Sequence, residues 1–105
     1  MKRRGEIWYV RPLGLASVRP VLIVSNDIAN SALAPVVADI TDVPPAAGAS
    51  YAVALADQDP IPGTWVAVNR LGRLRVDAFV EPVGILTGKT MAAVADALAD
   101  LLDLS

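Results

Sequence analysis

Glycine and proline recur at short intervals along this chain, and this spacing limits most strongly the folds that it can form. Among 105 residues there are seven Gly and eight Pro, which interrupt helices and the interiors of central strands. The runs between them are rich in Val, Ile and aromatic residues, which favour strands. The predicted strands are residues 6–10, 21–24, 34–41, 51–55, 65–70 and 78–86. We therefore expect a small, mainly β domain built on a strongly curved sheet or barrel.

In one of these runs, apolar and polar residues do not alternate. Residues 21–24 are continuously apolar, which is typical of a strand that is buried on both faces. The turn-forming residues 25–27 follow directly, and they predict the end of that strand. A short helical turn is predicted near residues 28–32.

The C-terminal part of the chain has the spacing of an amphipathic helix, with Thr87 as a natural N-cap. The apolar side carries Met91, Val94, Ala95, Leu98, Leu101 and Leu102. The opposite side carries Asp96, Asp100 and Asp103. These carboxylates repel one another, so we expect that face to be solvated and acidic. A chain of this length accommodates one core, and we expect a single domain over residues 1–105.

The absence of cysteine and histidine excludes several kinds of chemistry. Without Cys the chain has no disulfide, no thiolate nucleophile and no Cys-bound metal. Without His it lacks the commonest general base and the commonest metal ligand. An enzyme built from this chain would have to use Arg, Lys, carboxylates, hydroxyls or backbone groups. Carboxylates are then the remaining side-chain ligands for a metal. We expect no metal and no other cofactor.

The distribution of charge leaves a nucleic-acid partner open. The net charge of −2 argues weakly against such a partner. However, residues 1–75 hold eight basic and six acidic side chains, whereas residues 76–105 hold one basic and five acidic side chains. A mildly basic body of this kind can present a positive face. An ordinary mixed surface has the same counts.

No apolar run in the sequence approaches the length of a membrane span, which requires about 20 apolar residues. Residues 1–4 are basic, as in a secretory signal, but Gly5 and Glu6 follow before any apolar core develops. The interpretation is a soluble cytoplasmic protein with no membrane partner.

The chain has four segments, residues 2–8, 19–30, 37–41 and 83–87, which together resemble the MazF/PemK family of toxins. Residues 19–30 fit the family's second-strand motif nearly throughout, and residues 2–8 resemble its start. Residues 37–41 match its third strand in position and in the closing Thr. Residues 83–87, followed by the amphipathic helix, resemble its end. The resemblance spans the chain and is most specific at residues 2–8 and 19–41.

This resemblance implies a small SH3-like β-barrel of the MazF/CcdB type, which dimerises. It also implies a type II toxin that cuts single-stranded RNA at short sequences without a metal and leaves a 2′,3′-cyclic phosphate and a 5′-hydroxyl. Its catalytic pair would be Arg19, from the Arg-Pro step, and Thr41, which closes the third strand. The implied partners are RNA, a second copy of the chain, and a small antitoxin with an acidic tail. DNA would be reached only indirectly, through the antitoxin.

The chemistry of RNA is compatible with that pair. The 2′-hydroxyl can attack the adjacent phosphorus and expel the 5′-oxygen, so the protein has to align it and stabilise charge on the phosphoryl oxygens. The guanidinium of Arg19 suits this second task, because its planar donors match phosphate geometry. Since a guanidinium stays protonated at neutral pH, we expect charge stabilisation to be its larger role. The hydroxyl of Thr41 can donate to a phosphoryl oxygen.

Further side chains are candidates for holding the RNA. The cationic candidates are Arg70, Arg73 and Arg75, and the polar candidates are Ser17 and Asn26. The three arginines could track phosphates, or they could be solvated charges of a loop. Trp8 and Trp65 are interpreted as core or dimer contacts rather than as platforms for bases.

The two catalytic candidates also have simpler interpretations. Arg19 alone could be a surface residue that pairs with Asp39 or Asp42. Thr41 alone could be a hydroxyl at a strand end that satisfies the neighbouring backbone. Two carboxylates beside a phosphate site would also weaken RNA binding unless nearby arginines offset them.

The sequence departs from the family pattern at three places, one of which is Asp42 after Thr41, where the family commonly has Ser. The loop before Arg19, residues 14–18, is several residues shorter than usual, and in the family this loop covers the RNA site. An Arg expected in the site is replaced by Gly72, and Arg70 or Arg73 could substitute for it. These differences predict an altered sequence specificity, and they put activity itself in doubt.

Two alternatives of other classes therefore stay open. One is a non-catalytic toxin of the same fold that acts on DNA gyrase by protein contact, which would not need Arg19 and Thr41. The other is a degenerate barrel that serves only as a binding module, an interpretation that Asp39, Asp42 and Gly72 favour.

Overall fold

The chain folds into one antiparallel sheet followed by a helix. The computed structural model describes residues 2–12, 14, 16–26 and 34–103. The strands in these ranges are β1 (Glu6–Val10), β2 (Arg19–Ile23), β3 (Val36–Thr41), β4 (Ala52–Ala54), β5 (Trp65–Arg73) and β6 (Phe79–Ile85). The helix α1 (Gly88–Leu101) follows, and a 3-10 turn at Val76–Ala78 links β5 to β6. The predicted mainly β fold with a C-terminal helix is confirmed.

The strand boundaries differ from the predicted ones in a few places. β1 agrees fully, whereas β2 begins at Arg19 rather than at residue 21. β5 extends to Arg73, three residues beyond its predicted end. The short helical turn predicted near residues 28–32 lies outside the described residues.

The sheet order places sequentially distant strands side by side. The order is β4-β5-β3-β2-β1-β6, and every pairing is antiparallel. The implied barrel is thus a sheet whose edge strands, β4 and β6, are not joined. The link from β5 to β6 has to pass from one side of the sheet to the other. It is tied on the way, because Leu74 N donates to Pro35 O at 3.1 Å and Arg11 N donates to Ala78 O at 2.8 Å.

Both faces of the central strands are covered by apolar side chains. Alternating residues of a strand point to opposite faces, and Leu22 belongs to one buried cluster while Val21 and Ile23 belong to another. The first cluster includes Val94 of α1. The second is covered by side chains that include Phe79. The prediction that this run is buried on both faces is confirmed for residues 21–23.

A buried carboxylate fixes the start of α1 to the connection between β4 and β5. Asp59 is only 4% exposed, and its carboxylate accepts hydrogen bonds from Ala56 N at 2.7 Å, Thr87 N at 2.8 Å and Thr90 Oγ1 at 2.5 Å. Thr90 N also donates to Thr87 Oγ1 at 3.3 Å, so the predicted N-cap is confirmed. A negative charge at a helix N-terminus is stabilised by the helix dipole.

The helix buries a narrower face than its sequence predicts. Val94 and Ala97 are buried, and the three aspartates of the opposite side are exposed as expected. Leu101 and Leu102, which the spacing assigns to the apolar side, are exposed at the C-terminal end of α1. No helix in the described part of the chain is long and apolar enough to cross a membrane.

Candidate functional site

Arg19 and Thr41 lie at the same end of two neighbouring strands. The register of β2 and β3 places Val21 opposite Asp39, so Arg19, two residues before Val21, and Thr41, two residues after Asp39, lie on the same face of the sheet. Both residues line a pocket of about 460 Å³, here called the Trp65 pocket. Its other lining residues are Asp39, Ile40, Val43, Pro44, Pro45, Ala46, Tyr51, Ala52, Trp65, Ala67, Asn69 and Arg70.

The guanidinium of Arg19 is held loosely by a carboxylate. Arg19 Nη2 lies 3.6 Å from Asp39 Oδ1, and the two side chains are 47% and 26% exposed. An exposed ion pair at this distance is weak, and a guanidinium has five N–H donors. Arg19 therefore keeps donors for a second anion. The pairing of Arg19 with Asp39, one of the two carboxylates that the sequence allowed, is present. The other carboxylate, Asp42, is exposed and lines a second cavity, which Arg19 and Thr41 also line.

Thr41 satisfies a backbone group and still has a donor to offer. Its Oγ1 accepts a hydrogen bond from Val43 N at 3.1 Å, as the simpler interpretation of this residue expected. Because the hydroxyl is the acceptor in this contact, its own O–H remains able to donate. The contact also fixes the hydroxyl oxygen at the end of β3.

A bulge in β5 brings Arg70 to the same pocket. Ala38 pairs with Leu71, but the next residue, Asp39, pairs with Ala67, so residues 68–70 leave the ladder with β3. Bulges of this kind redirect side chains and are frequent next to active sites. Arg70 lines the Trp65 pocket together with Arg19 and Thr41. Of the two substitutes proposed for the missing Arg at Gly72, Arg70 is the one beside the pair.

The other basic candidates extend away from this pocket. Arg73 lines a shallow groove of about 260 Å³ together with Arg19 and Arg70. It also lines a further groove of about 470 Å³, here called the Arg11 groove, with Arg11 and Arg75. Arg75 is paired there with Asp77 at 3.6 Å. The arginines thus follow one another from the Trp65 pocket to the Arg11 groove.

The two polar candidates are not brought into the pocket. Ser17 is exposed in the segment before β2, and it lines none of the cavities described here. Asn26 lies beyond the opposite end of β2, seven positions along the chain from Arg19. Neither position supports a direct role for these side chains beside Arg19 and Thr41.

Aromatic side chains that sequence reasoning did not assign to the site form part of its wall. Trp65 lies opposite Thr41 in the β3–β5 pairing and lines the pocket together with Tyr51. Trp8 is placed differently, since it packs edge-on against Phe79 at 5.7 Å on the other side of β1 from the helix. The non-sequential pairing of β3 with β5 creates this wall, and no local sequence signal predicts that pairing.

A strained residue lies in the adjoining cavity. This cavity, of about 390 Å³, also contains Arg19 and Thr41, and its lining includes Tyr9, Ile61 and Thr64. Ile61 has a φ of 47°, a conformation that β-branched residues rarely adopt. Thr64 Oγ1 donates to Ile61 O at 2.8 Å and stabilises that turn. Such outliers are common at functional sites.

The charges at the site suit an anion better than a metal ion. Arg19 and Arg70 lie at the Trp65 pocket with Asp39 as its one lining carboxylate. In the described ranges of the chain, no three His, Cys, Asp or Glu side chains are grouped so that they could hold a metal ion. Arginines and a hydroxyl can bind a phosphate and stabilise charge that develops on it.

The fold and this site define a small antiparallel β protein with an arginine–threonine pair at one end of its central strands. The model of the family described as PemK-like, MazF-like toxin of type II toxin–antitoxin system matches residues 3–102. The chain therefore belongs to that family of toxins. The resemblance noted in residues 2–8 and 19–41 is confirmed.

Solved structures agree with the family over the full chain. An endoribonuclease in complex with its cognate antitoxin from Mycobacterial species is 28% identical, with a TM-score of 0.89 and coverage of 100% of this chain and 98% of that chain. An endoribonuclease from Mycobacterial species is 26% identical, with a TM-score of 0.84 and coverage of 97% and 91%. MazE-MazF from Deinococcus radiodurans is 20% identical, with a TM-score of 0.83 and coverage of 99% and 97%. This last likeness concerns the fold alone. Among curated proteins no sequence match was found.

Proposed function

We propose that this toxin is a sequence-specific endoribonuclease that cleaves single-stranded RNA without a metal ion. The observation that carries this proposal is the convergence of Arg19 and Thr41 on one pocket, with Arg70 beside them. Two structural neighbours above 25% identity, both from Mycobacterial species, are described as endoribonucleases, which supports the same activity. They also favour RNA cleavage over the gyrase alternative.

The reaction uses the nucleophile that RNA itself supplies. The 2′-oxygen forms a bond to the adjacent phosphorus while the bond from phosphorus to the 5′-oxygen breaks. The proton of the 2′-hydroxyl is lost to solvent, and the leaving 5′-oxygen takes up a proton. The products are a 2′,3′-cyclic phosphate and a 5′-hydroxyl. DNA lacks the 2′-hydroxyl and would not react.

Arg19 and Thr41 act on the phosphate rather than on the nucleophile. The guanidinium of Arg19, which is only loosely held by Asp39 at 3.6 Å, binds the phosphoryl oxygens and stabilises the charge that grows on them. The Thr41 O–H donates to the same group. It is available for this because the hydroxyl oxygen only accepts a hydrogen bond in its contact with Val43 N. Together they hold the phosphate in a fixed orientation so that the 2′-oxygen attacks in line.

The remaining arginines extend the site along the RNA backbone. Arg70 would hold a phosphate next to the scissile one, and Arg73, Arg75 and Arg11 would bind phosphates further along the strand. Such contacts contribute affinity without reading sequence. Ser17 and Asn26 lie away from this path, and we assign the RNA contacts to the arginines.

The proposed partners of the toxin follow from its family and its surface. We expect a homodimer. We also expect a small cognate antitoxin, and the Mycobacterial endoribonuclease that resembles this chain was solved in complex with its cognate antitoxin. An acidic antitoxin tail would bind the arginines around Arg19 and exclude RNA. DNA would be contacted only indirectly, through the antitoxin.

Cleavage of a long single-stranded RNA in the presence of EDTA tests this proposal. The wild-type toxin should cut the RNA, while Arg19→Ala and Thr41→Ala should lose most of the activity, by a factor of about 100 or more for Arg19. Arg4→Ala is a matched control, because Arg4 is exposed ahead of β1 and lines none of the cavities. Cleavage that requires added Mg²⁺, or that survives Arg19→Ala, would contradict the mechanism.

A further inference from the structure

One part of the Trp65 pocket is not needed for the chemistry on phosphate. The phosphate reaction uses Arg19 and Thr41, but the lining of the pocket also includes two aromatic side chains, Tyr51 and Trp65. Trp65 is half-buried and Tyr51 is 38% exposed. Aromatic side chains with an accessible face next to a nucleic-acid backbone site are platforms on which bases stack.

Small residues keep the space beside these rings open. Ala67 pairs with Asp39 on one side and with Ala52 on the other. Both alanines line the pocket, so two of its lining side chains are single methyl groups. The resulting volume of about 460 Å³ lies in the range of small-ligand sites. A larger side chain at either position would fill the space that the two aromatic residues border.

Polar groups at the rim are available to a ligand. In the described part of the chain, the Asn69 amide and the Trp65 indole N–H have no hydrogen-bond partner in the protein. No described side-chain nitrogen or oxygen is both buried and unpaired, so the indole N–H reaches solvent. An amide offers both a donor and an acceptor, which is the combination that pairs with the edge of a base.

We propose that this pocket receives one unstacked base of the RNA, next to the scissile phosphate, and thereby selects the cleavage sequence. The base stacks on Trp65 with Tyr51 at its side, and Asn69 binds its polar edge. The inference rests on the proposed RNA cleavage and names how the same site chooses its RNA. An apolar side chain of a protein partner is the competing occupant. The guanidiniums of Arg19 and Arg70 at the rim favour the base, because a base is attached to a phosphate and an apolar side chain is not.

Tryptophan fluorescence tests stacking without any need for cleavage. The chain has two Trp, so Trp8→Phe leaves Trp65 as the only indole and Trp65→Phe leaves Trp8. The ligands are short 2′-O-methyl RNA oligonucleotides of each base, which cannot be cut because the 2′-oxygen is blocked. Quenching of Trp65 and not of Trp8, and loss of the quenching with abasic oligonucleotides, is the expected result.

Two further variants test the pocket through binding and specificity. Trp65→Ala should weaken oligonucleotide binding by roughly 10- to 100-fold, the range for the loss of one stacked base. Ala52→Leu should weaken oligonucleotide binding to a similar extent, because the larger side chain fills the pocket while Trp65 is kept. Agreement between the two variants would show that the loss does not come from misfolding of Trp65→Ala. Asn69→Ala should change the preferred base at one position of the cleavage sequence and leave the others unchanged.

The outcomes separate this inference from the proposed function. Suppose that the wild type cuts RNA and that its affinity and cleavage preference are unchanged in Trp65→Ala, Ala52→Leu and Asn69→Ala. The proposed base binding in the pocket is then wrong, and the proposed nuclease activity is supported. If Trp65 is quenched by the oligonucleotides but no RNA is cut, binding of a base in the pocket is supported, while the proposed nuclease activity and the selection of a cleavage sequence are both overturned. Quenching by apolar peptides and not by RNA would overturn the base pocket in favour of a protein side chain.

Discussion

Arg19 interacts with the Asp39 carboxylate in the free protein and is proposed to bind an RNA phosphate in the complex. In the free protein its guanidinium lies 3.6 Å from Asp39, and in the proposed complex it binds a phosphate. The carboxylate keeps the guanidinium near the pocket, but it also repels the phosphate that approaches. Because both groups are solvent-accessible, the attraction and the repulsion are both weakened by water and salt. In the proposed RNA complex, Asp39 should therefore adjust RNA affinity rather than decide whether the site forms.

The substitution Asp39→Asn should tighten RNA binding. Removing one negative charge about 6 Å from a phosphate in a water-like dielectric is worth roughly a threefold change in the binding constant. Titration with an uncleavable 2′-O-methyl RNA at low and at high salt measures this change, which should disappear at high salt. Asp96→Asn, on the exposed acidic side of α1, is the control. Weaker binding by Asp39→Asn would mean that the carboxylate chiefly orients Arg19.

Asp59 illustrates a carboxylate whose role is structural. Burial raises its pKa, but the hydrogen bonds from the Thr90 side chain and from the backbone N–H groups of Thr87 and Ala56 outweigh burial, so that the pKa lies below its ordinary value. With the folded pKa below the unfolded one, the carboxylate stabilises the fold above the unfolded pKa. This contribution is lost as pH falls through the folded pKa.

The substitution Asp59→Asn should remove this pH dependence. At neutral pH the variant should be less stable by about 1–3 kcal/mol, because an amide cannot accept all three hydrogen bonds. The difference from the wild type should shrink as the pH is lowered through the folded pKa of Asp59, where the wild type loses the same contribution. Urea unfolding across acidic pH measures both effects. Asp57→Asn, exposed in the same connection, is the matched control, and a pH-independent difference would contradict the role of the charge.

Among the secondary-structure elements, β5 contributes most to the candidate site. It pairs with β3 in two different registers, one in each part of the strand. Its first part pairs with β4 and with the end of β3, and its last part pairs with the start of β3. The bulge between these registers releases Asn69 and Arg70 from the ladder. A regular strand would place both residues in a fixed alternation and could not direct two consecutive side chains to one pocket.

The sequence predicted the elements better than their arrangement. Periodicity and punctuation by Gly and Pro located all six described strands and the helix, because these signals are local. The family motif predicted Arg19 and Thr41 as candidates. Tyr51, Trp65 and Asn69 were not identified as site residues, because their positions depend on the pairing of β5 with β3 and on the bulge, which are long-range features. The sequence alone favours a core or dimer contact for Trp65, and contact with a second copy of the chain stays a prediction.

The strand β6 approaches the connection between β4 and β5 too closely for a side chain. A Cβ atom at Gly84 would lie 2.6 Å from Pro60 Cγ, and a proline ring cannot rotate away. Gly84→Ala should therefore destabilise the fold by about 1–3 kcal/mol, the usual range for overpacking. Urea unfolding measures this loss. Gly88→Ala is the matched control, since a Cβ there meets open space at the start of α1. Equal stabilities of the two variants would show that β6 can shift.

The protein carries its charge unevenly, and this asymmetry bears on the proposed binding of RNA. Eight of its nine basic side chains fall in residues 1–75, although the net charge is −2. In the structure, Arg19, Arg70 and Arg73 line one groove, and the aspartates of α1, which are exposed, do not line it. Local concentration of one charge sign guides an oppositely charged ligand even when the net charge is unfavourable. The salt dependence of binding should therefore report the number of arginines that the RNA contacts.

Substitution of the outlying arginines should lower that salt dependence step by step. The logarithm of the binding constant falls with the logarithm of salt concentration by about 0.7 for each phosphate of a single strand that is neutralised. Arg73→Ala and Arg11→Ala should each reduce the slope by about this amount for an RNA long enough to reach the Arg11 groove. A short RNA confined to the Trp65 pocket should show no change with Arg11→Ala. Lys89→Ala, exposed at the start of α1, should leave the slope unchanged for both. If Arg11→Ala lowers affinity equally at all salt concentrations, the groove contributes to folding and not to the path of the RNA.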